Sequence, residues 1–182
     1  GDFSDFLLEI YEYSRQLTFP QKWFSALKNS YSSGGFTPEN KWYSLAIKKA
    51  ADTACNWKKT VACILDMLFS DEKADAVYSE SFRFAADCAE KLRSAADSGN
   101  WDTVFSAVSE IFFGSLPRAN GLSGSYAAKT AKTAWKGFSK DREALLKIFY
   151  ADCDEISNQL SNLSEPISVL SDILIEFDNK LF

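Results

Sequence analysis

Histidine is absent from this chain, and methionine occurs once in 182 residues. The missing imidazole removes Ser-His-Asp and Cys-His triads, HExxH zinc sites, histidine acid/base pairs and haem ligation by histidine. Di-iron carboxylate bundles, which need Glu-x-x-His pairs, go with them. Long apolar runs are missing too. The longest, Val61 to Phe69, is interrupted by Asp66 and falls far short of the ~20 residues of a membrane span. Sustained apolar/polar alternation, the mark of half-buried strands, is nowhere to be found. Nor does any segment recur at the ~34-residue period of a helical repeat array.

Cysteine is sparse. Cys55, Cys63, Cys88 and Cys153 form no CxxC pair and sit among Ala, Val, Ile or aromatic neighbours, which predicts reduced core thiols acting as small hydrophobes. No basic segment followed by an apolar one opens the chain at Gly1-Asp2, so a cytoplasmic location is expected, with a trimmed signal peptide as the alternative. Net positive charge is lacking as well. The formal charge of -5 and pI near 4.9 argue against a surface built as a whole for nucleic acid.

What remains is ordinary globular composition, 46% hydrophobic and 25% charged, long enough to bury a core without metal or disulfides. A single helical domain over residues 1–182 is expected, with a subdivision at 114–125 as the one alternative. Helical periodicity runs almost throughout. Phe3, Phe6, Leu7, Ile10, Tyr13 and Leu17 form one stripe, and Pro20 opens a short helix to about Tyr31 with Trp23, Phe24 and Leu27 as its apolar side. Thr37-Pro38-Glu39 reads as an N-cap with proline at the first helical position, starting a long helix to about Phe69 whose weakest point is Asp52-Thr53. Ser70-Asp71 caps the next, Gly99 ends it, and Asn100 caps a further helix reaching toward Gly114. A helix from about Tyr126 to Phe138 follows, with Ser139 placed to cap another. The fold class is therefore all-α, an irregular multi-helix bundle or stacked helical hairpins of six to eight helices.

The last third is the most regular. Leu146, Phe149, Cys153, Ile156, Leu160, Leu163, Ile167, Leu170, Leu174, Phe177 and Leu181 alternate steps of three and four. Pro166 interrupts the run without shifting its phase, and Ser164 could cap a fresh start, so two helices nearly in line or one kinked helix are expected. The flanking positions carry too few opposite charges to specify a partner strand. An intramolecular bundle is the expectation, with a homo-oligomer seam or a foreign helix as alternatives.

Four constellations bear on chemistry. Gly114 to Ser125 is a glycine-rich loop ahead of a helix N-terminus, but it lacks GxxxxGK[ST] and a preceding strand, so it is not a nucleotide-hydrolase loop. From Gly114 through Lys140 the basic residues Arg118, Lys129, Lys132, Lys136 and Lys140 meet no acidic residue, and the four lysines share one helix side. Clustered carboxylates such as Asp152, Asp154 and Glu155 read as solvated helix surface. Aromatics near Phe19, Trp23, Phe24, Phe36, Trp42 and Tyr43 read as core, with a partner groove or apolar pocket as the alternative.

No catalytic signature, cofactor motif or metal-ligand spacing emerges. The expected function is a non-enzymatic interaction or adaptor protein, its partner another protein met at a helix face or at the 114–125 loop. The alternative is binding of a nucleic acid or phosphorylated ligand through Arg118, Asn120, Lys129, Lys132, Lys136 and Lys140, whose lysines can neutralise phosphates.

Overall fold

The computed structural model describes residues 8–13, 16, 19–32, 36–118 and 121–181. It is all-α: besides a helical stretch at 8–13 there are α1 (Pro20–Ser32), α2 (Lys41–Phe69), α3 (Glu72–Asp97), α4 (Trp101–Glu110), α5 (Tyr126–Ile148) and α6 (Cys153–Leu181). The chain resolves into two compact units, residues 41–152 and the two chain ends 1–40 with 153–182. The unit boundaries thus fall at 40/41 and 152/153, and the 114–125 segment lies inside one unit.

Residues 41–152 are built on α2. Its inward positions Tyr43, Ala46, Ala50, Ala54, Trp57, Val61, Ile64 and Leu68 recur every three or four residues, so one stripe is buried along the whole helix. The expected weak point at Asp52-Thr53 does not break it: the helix runs on, with the Thr53 hydroxyl donating to the Lys49 carbonyl at 2.8 Å. The start does shift: Thr37 to Asn40 form a turn, with the Asn40 amide donating to Thr37 O at 2.9 Å, and the helix begins at Lys41.

The joints follow from capping chemistry. Asp71 accepts from the Ala74 amide and starts α3, and Asn100 accepts from the Thr103 amide and starts α4. Between α3 and α4, Gly99 takes φ +68°, a left-handed conformation that only glycine enters without penalty. The Tyr43 hydroxyl clamps this turn, donating to Gly99 O at 3.1 Å and accepting from the Trp101 amide at 2.8 Å. The core includes Trp57, Tyr78, Phe82, Leu92, Val104, Leu145 and Phe149, each under 2% exposed. Burying an aliphatic or Phe side chain of that set contributes about 1.5–3 kcal/mol.

Two expectations need correction here. α4 stops at Glu110 rather than near Gly114, since Ile111 and Phe113 turn inward on an extended segment while Phe112 points out. Ser139 caps nothing: α5 runs through it to Ile148, and its hydroxyl donates back to Trp135 O. The thiols are free, but only Cys88 is in the core; Cys63 is exposed because Val61 and Ile64 take the inward positions on either side of it.

In the other unit α1 packs on α6. Tyr11, Phe24 and Leu174 form a small core edged by Ile10, Trp23, Leu170 and Ile175, and the Tyr11 and Phe177 rings meet edge to face at 5.0 Å. Lys28 pairs with Asp172 at 2.8 Å, and the Phe36 amide donates to the Ser157 hydroxyl at 3.1 Å. The aromatics grouped by sequence are divided: Phe24 belongs to this core and Tyr43 to that of residues 41–152, while Phe19 and Trp42 are exposed. The stripe at Phe3, Phe6, Leu7 and Leu17 lies outside the described residues.

Of the two alternatives at Pro166, two helices in line or one helix, the structure has the second. α6 continues through it, and Ser164 donates to Ser161 O at 2.9 Å instead of capping a new helix. The chain leaves helix earlier, at residues 149–152, where Phe149 and Ala151 are buried within the unit of residues 41–152. The regular apolar run therefore serves two units in succession. Along α6 itself Ile156 and Leu174 are buried, whereas Leu163 and Phe177 stay nearly half exposed.

Candidate anion-binding cleft

Between α5 and the extended segment after α4 lies a cleft of about 630 Å³, lined by Gly114, Ser115, Leu116, Pro117, Arg118, Lys132, Trp135, Lys136 and Ser139. An aromatic cluster fixes its geometry. Phe113, 8% exposed, meets the rings of Trp57, Trp135 and Phe138 at centroid distances of 5.1, 5.3 and 5.6 Å. Next in sequence, Gly114 O accepts from Trp135 Nε1 at 2.6 Å, so two aromatic contacts and one hydrogen bond pin the segment to the helix. Trp57, at the cluster's base, donates from Nε1 to Asp141 at 3.0 Å.

The far end of the loop is held by a shared cap. The Ser125 hydroxyl accepts from the Ala128 amide to start α5 and donates to the Asp71 carboxylate, which itself starts α3. These bonds, Ser125 first and then the Ala74 amide, hold the Asp71 carboxyl below the usual carboxylate range. Two helix starts thus share one carboxylate, and the loop that forms the cleft wall is tied down on both sides.

The cleft brings together Arg118 from one wall and Lys132 and Lys136 from the other. No carboxylate lines it. Elsewhere Lys28, Lys58, Lys91, Arg93 and Lys180 are each paired with an acidic residue. Among the described residues no hydrogen bond or ion pair engages the side chain of Arg118, Lys132 or Lys136. Lys132 and Lys136 stand four residues apart on α5, a like-charge pair that costs the isolated helix about 0.2–0.5 kcal/mol and that a bound anion would offset. A slightly larger groove between α3 and α4, about 690 Å³, contrasts with this: its one cation, Lys91, is paired with Glu110, and Asp102 also lines it.

Of the residues expected from sequence, Arg118, Lys132 and Lys136 converge. Lys129 and Lys140 are exposed on α5 but do not line the cleft, and Asn120 lies outside the described residues. Sequence reasoning left out Leu116, Pro117 and Trp135 as cleft walls. For Trp135 a signal existed, since it sits between the two lysines on the turn that also carries the inward Ala131 and Phe138.

Among the described residues no group of three or more His, Cys, Asp or Glu side chains is placed to hold a metal ion. Nor is any described helix long and apolar enough to cross a membrane. In comparison with known proteins, the chain matches no family model and no curated sequence.

Proposed function

We propose that this protein is a non-enzymatic binding module whose cleft between α5 and residues 114–118 receives an anionic group. The observation that carries the reading is the convergence of three cations, none with an acidic partner, in one cleft that no carboxylate lines. Unpaired guanidinium and ammonium groups on opposite walls supply charge-assisted donors from two directions, the arrangement that favours phosphate or carboxylate over a neutral ligand.

The test is titration with inorganic pyrophosphate at low ionic strength, followed by amide chemical shifts. Binding is expected to weaken steeply with added salt, to disappear in the Arg118→Glu/Lys136→Glu variant and to persist in Lys129→Glu. Salt-insensitive binding, or none, rejects the reading.

An adaptor role with another protein as partner is the second reading, favoured by two large exposed aromatics. Phe69 at the end of α2 is 84% exposed and Tyr126 at the start of α5 is 74% exposed, and the Asp71–Ser125 contact brings these two helix ends together. A Phe69→Ser/Tyr126→Ser variant that keeps its fold and its anion binding but loses a protein captured by the unaltered chain supports this role; capture unaffected by that variant rejects it.

A further inference from the structure

We infer that the anion taken by the cleft is a phosphate monoester carried on a compact aromatic or apolar body, rather than a nucleic-acid strand; this rests on the anion-binding reading above. The cations stand on both walls of one cleft. Arg118 comes from the extended wall and Lys132 and Lys136 from successive turns of α5, so donors from two sides are available to a single compact anion. A monoester presents three terminal oxygens with a charge approaching -2 at neutral pH, one oxygen for each cation.

Besides the cations and the two serines, Ser115 and Ser139, the side chains of the lining are apolar. Leu116 and Pro117 form one side, and Trp135 contributes only ring surface, because its single N–H is spent on Gly114 O. A hydrated inorganic ion gains nothing from such walls, whereas a hydrocarbon or aryl group next to the phosphate removes them from water. The volume, about 630 Å³, falls within the range of small-ligand sites.

A strand would need cations laid along a path. Lys129 and Lys140, the two that would extend the line along α5, lie outside the cleft, and the chain's net charge of -5 opposes a polyanion.

The experiment titrates the full chain with phenyl phosphate, inorganic phosphate, and oligothymidylates of 4 and 12 nucleotides at one low ionic strength, read by Trp fluorescence and amide shifts. Phenyl phosphate is expected to bind at least tenfold more tightly than inorganic phosphate, with the shifts centred on residues 114–118 and 132–139. Arg118→Glu, on the exposed extended wall, is expected to abolish binding without changing the helical circular dichroism, and Lys129→Glu to leave it intact. Equal affinity for phenyl and inorganic phosphate overturns the inference while leaving the anion-binding reading standing. So does oligothymidylate binding that tightens from 4 to 12 nucleotides and exceeds that of phenyl phosphate. Failure of every anion, pyrophosphate included, removes both.

Discussion

Replacing Phe113 and Phe112 separately with alanine sets two adjacent rings of the same chain segment against each other. Phe113 is 8% exposed and Phe112 is 68% exposed, so the extended backbone sends one ring into the core and the other into water. Truncating a buried Phe to Ala costs about 3–5 kcal/mol. The low end applies, near 3 kcal/mol, because residues 111–118 lack a helical frame and can partly close over the space left behind. Three rings, those of Trp57, Trp135 and Phe138, lose their contact within 5.1 to 5.6 Å, which keeps the loss from falling much below that. Phe112 touches little besides Arg142, whose guanidinium lies 5.9 Å from the ring centroid, so its removal costs about 0.5–1 kcal/mol. In urea, with a slope of about 1.5–2 kcal/mol per M, Phe113→Ala moves the unfolding midpoint down by about 1.5–2 M and Phe112→Ala by at most about 0.7 M. The segment also forms one wall of the cleft, so Phe113→Ala weakens phenyl phosphate binding even though every cation is retained. Equal midpoint shifts for the two variants, or a Phe113→Ala shift equivalent to less than about 1 kcal/mol, refute the claim that this ring anchors the wall.

Tyr78 is fully buried and its hydroxyl has no hydrogen-bond partner, so Tyr78→Phe relieves a desolvated polar group and raises stability by about 1 kcal/mol in the same urea assay; a lowered midpoint refutes this. Asn100→Ala removes the cap of α4 and costs about 1 kcal/mol, whereas Asn100→Asp retains the acceptor and costs little. Because Ser125 and then the Ala74 amide hold the Asp71 carboxyl low, the contribution of its ionised form is complete above the unfolded value near pH 4 and is lost as pH falls through the lower folded value. Urea midpoints measured from pH 6 down to pH 2.5 therefore fall less steeply for Asp71→Asn than for the unaltered chain, and identical slopes reject the shared cap.

The sequence made the helices visible where a local rule governs them. Asp71 and Asn100 were readable as starts and Gly99 as a stop, because a side chain or a left-handed backbone decides each within four residues. The end of α4 was hidden. Ile111 and Phe112 continue the helical apolar spacing, and three residues are too few to separate a helix from an extended segment with Ile111 and Phe113 inward. The break at 149–152 was hidden for another reason. Phe149, before the break, and Ile156, after it, are both buried at intervals that a single helix would also use, so the phase survives while the helix does not. The stripe of lysines was legible from spacing alone. Its division into Lys132 and Lys136 inside the cleft and Lys129 and Lys140 outside depends on the side of α5 along which residues 114–118 run, and tertiary contacts through Phe113 and Trp135 decide that.

The division of the chain also sets an order of assembly. Residues 41–152 are contiguous, so on the ribosome they can begin to pack as soon as they have emerged. The other unit joins residues 1–40 to residues 153–182, and Tyr11 and Phe24 must wait for Leu174 on α6, which is made well after them. Until then the N-terminal aromatics have no cognate surface to cover them, which is the interval in which a growing chain is open to holding chaperones and to mispairing with its neighbours on the same message. A chain cut after residue 152 would make that interval permanent.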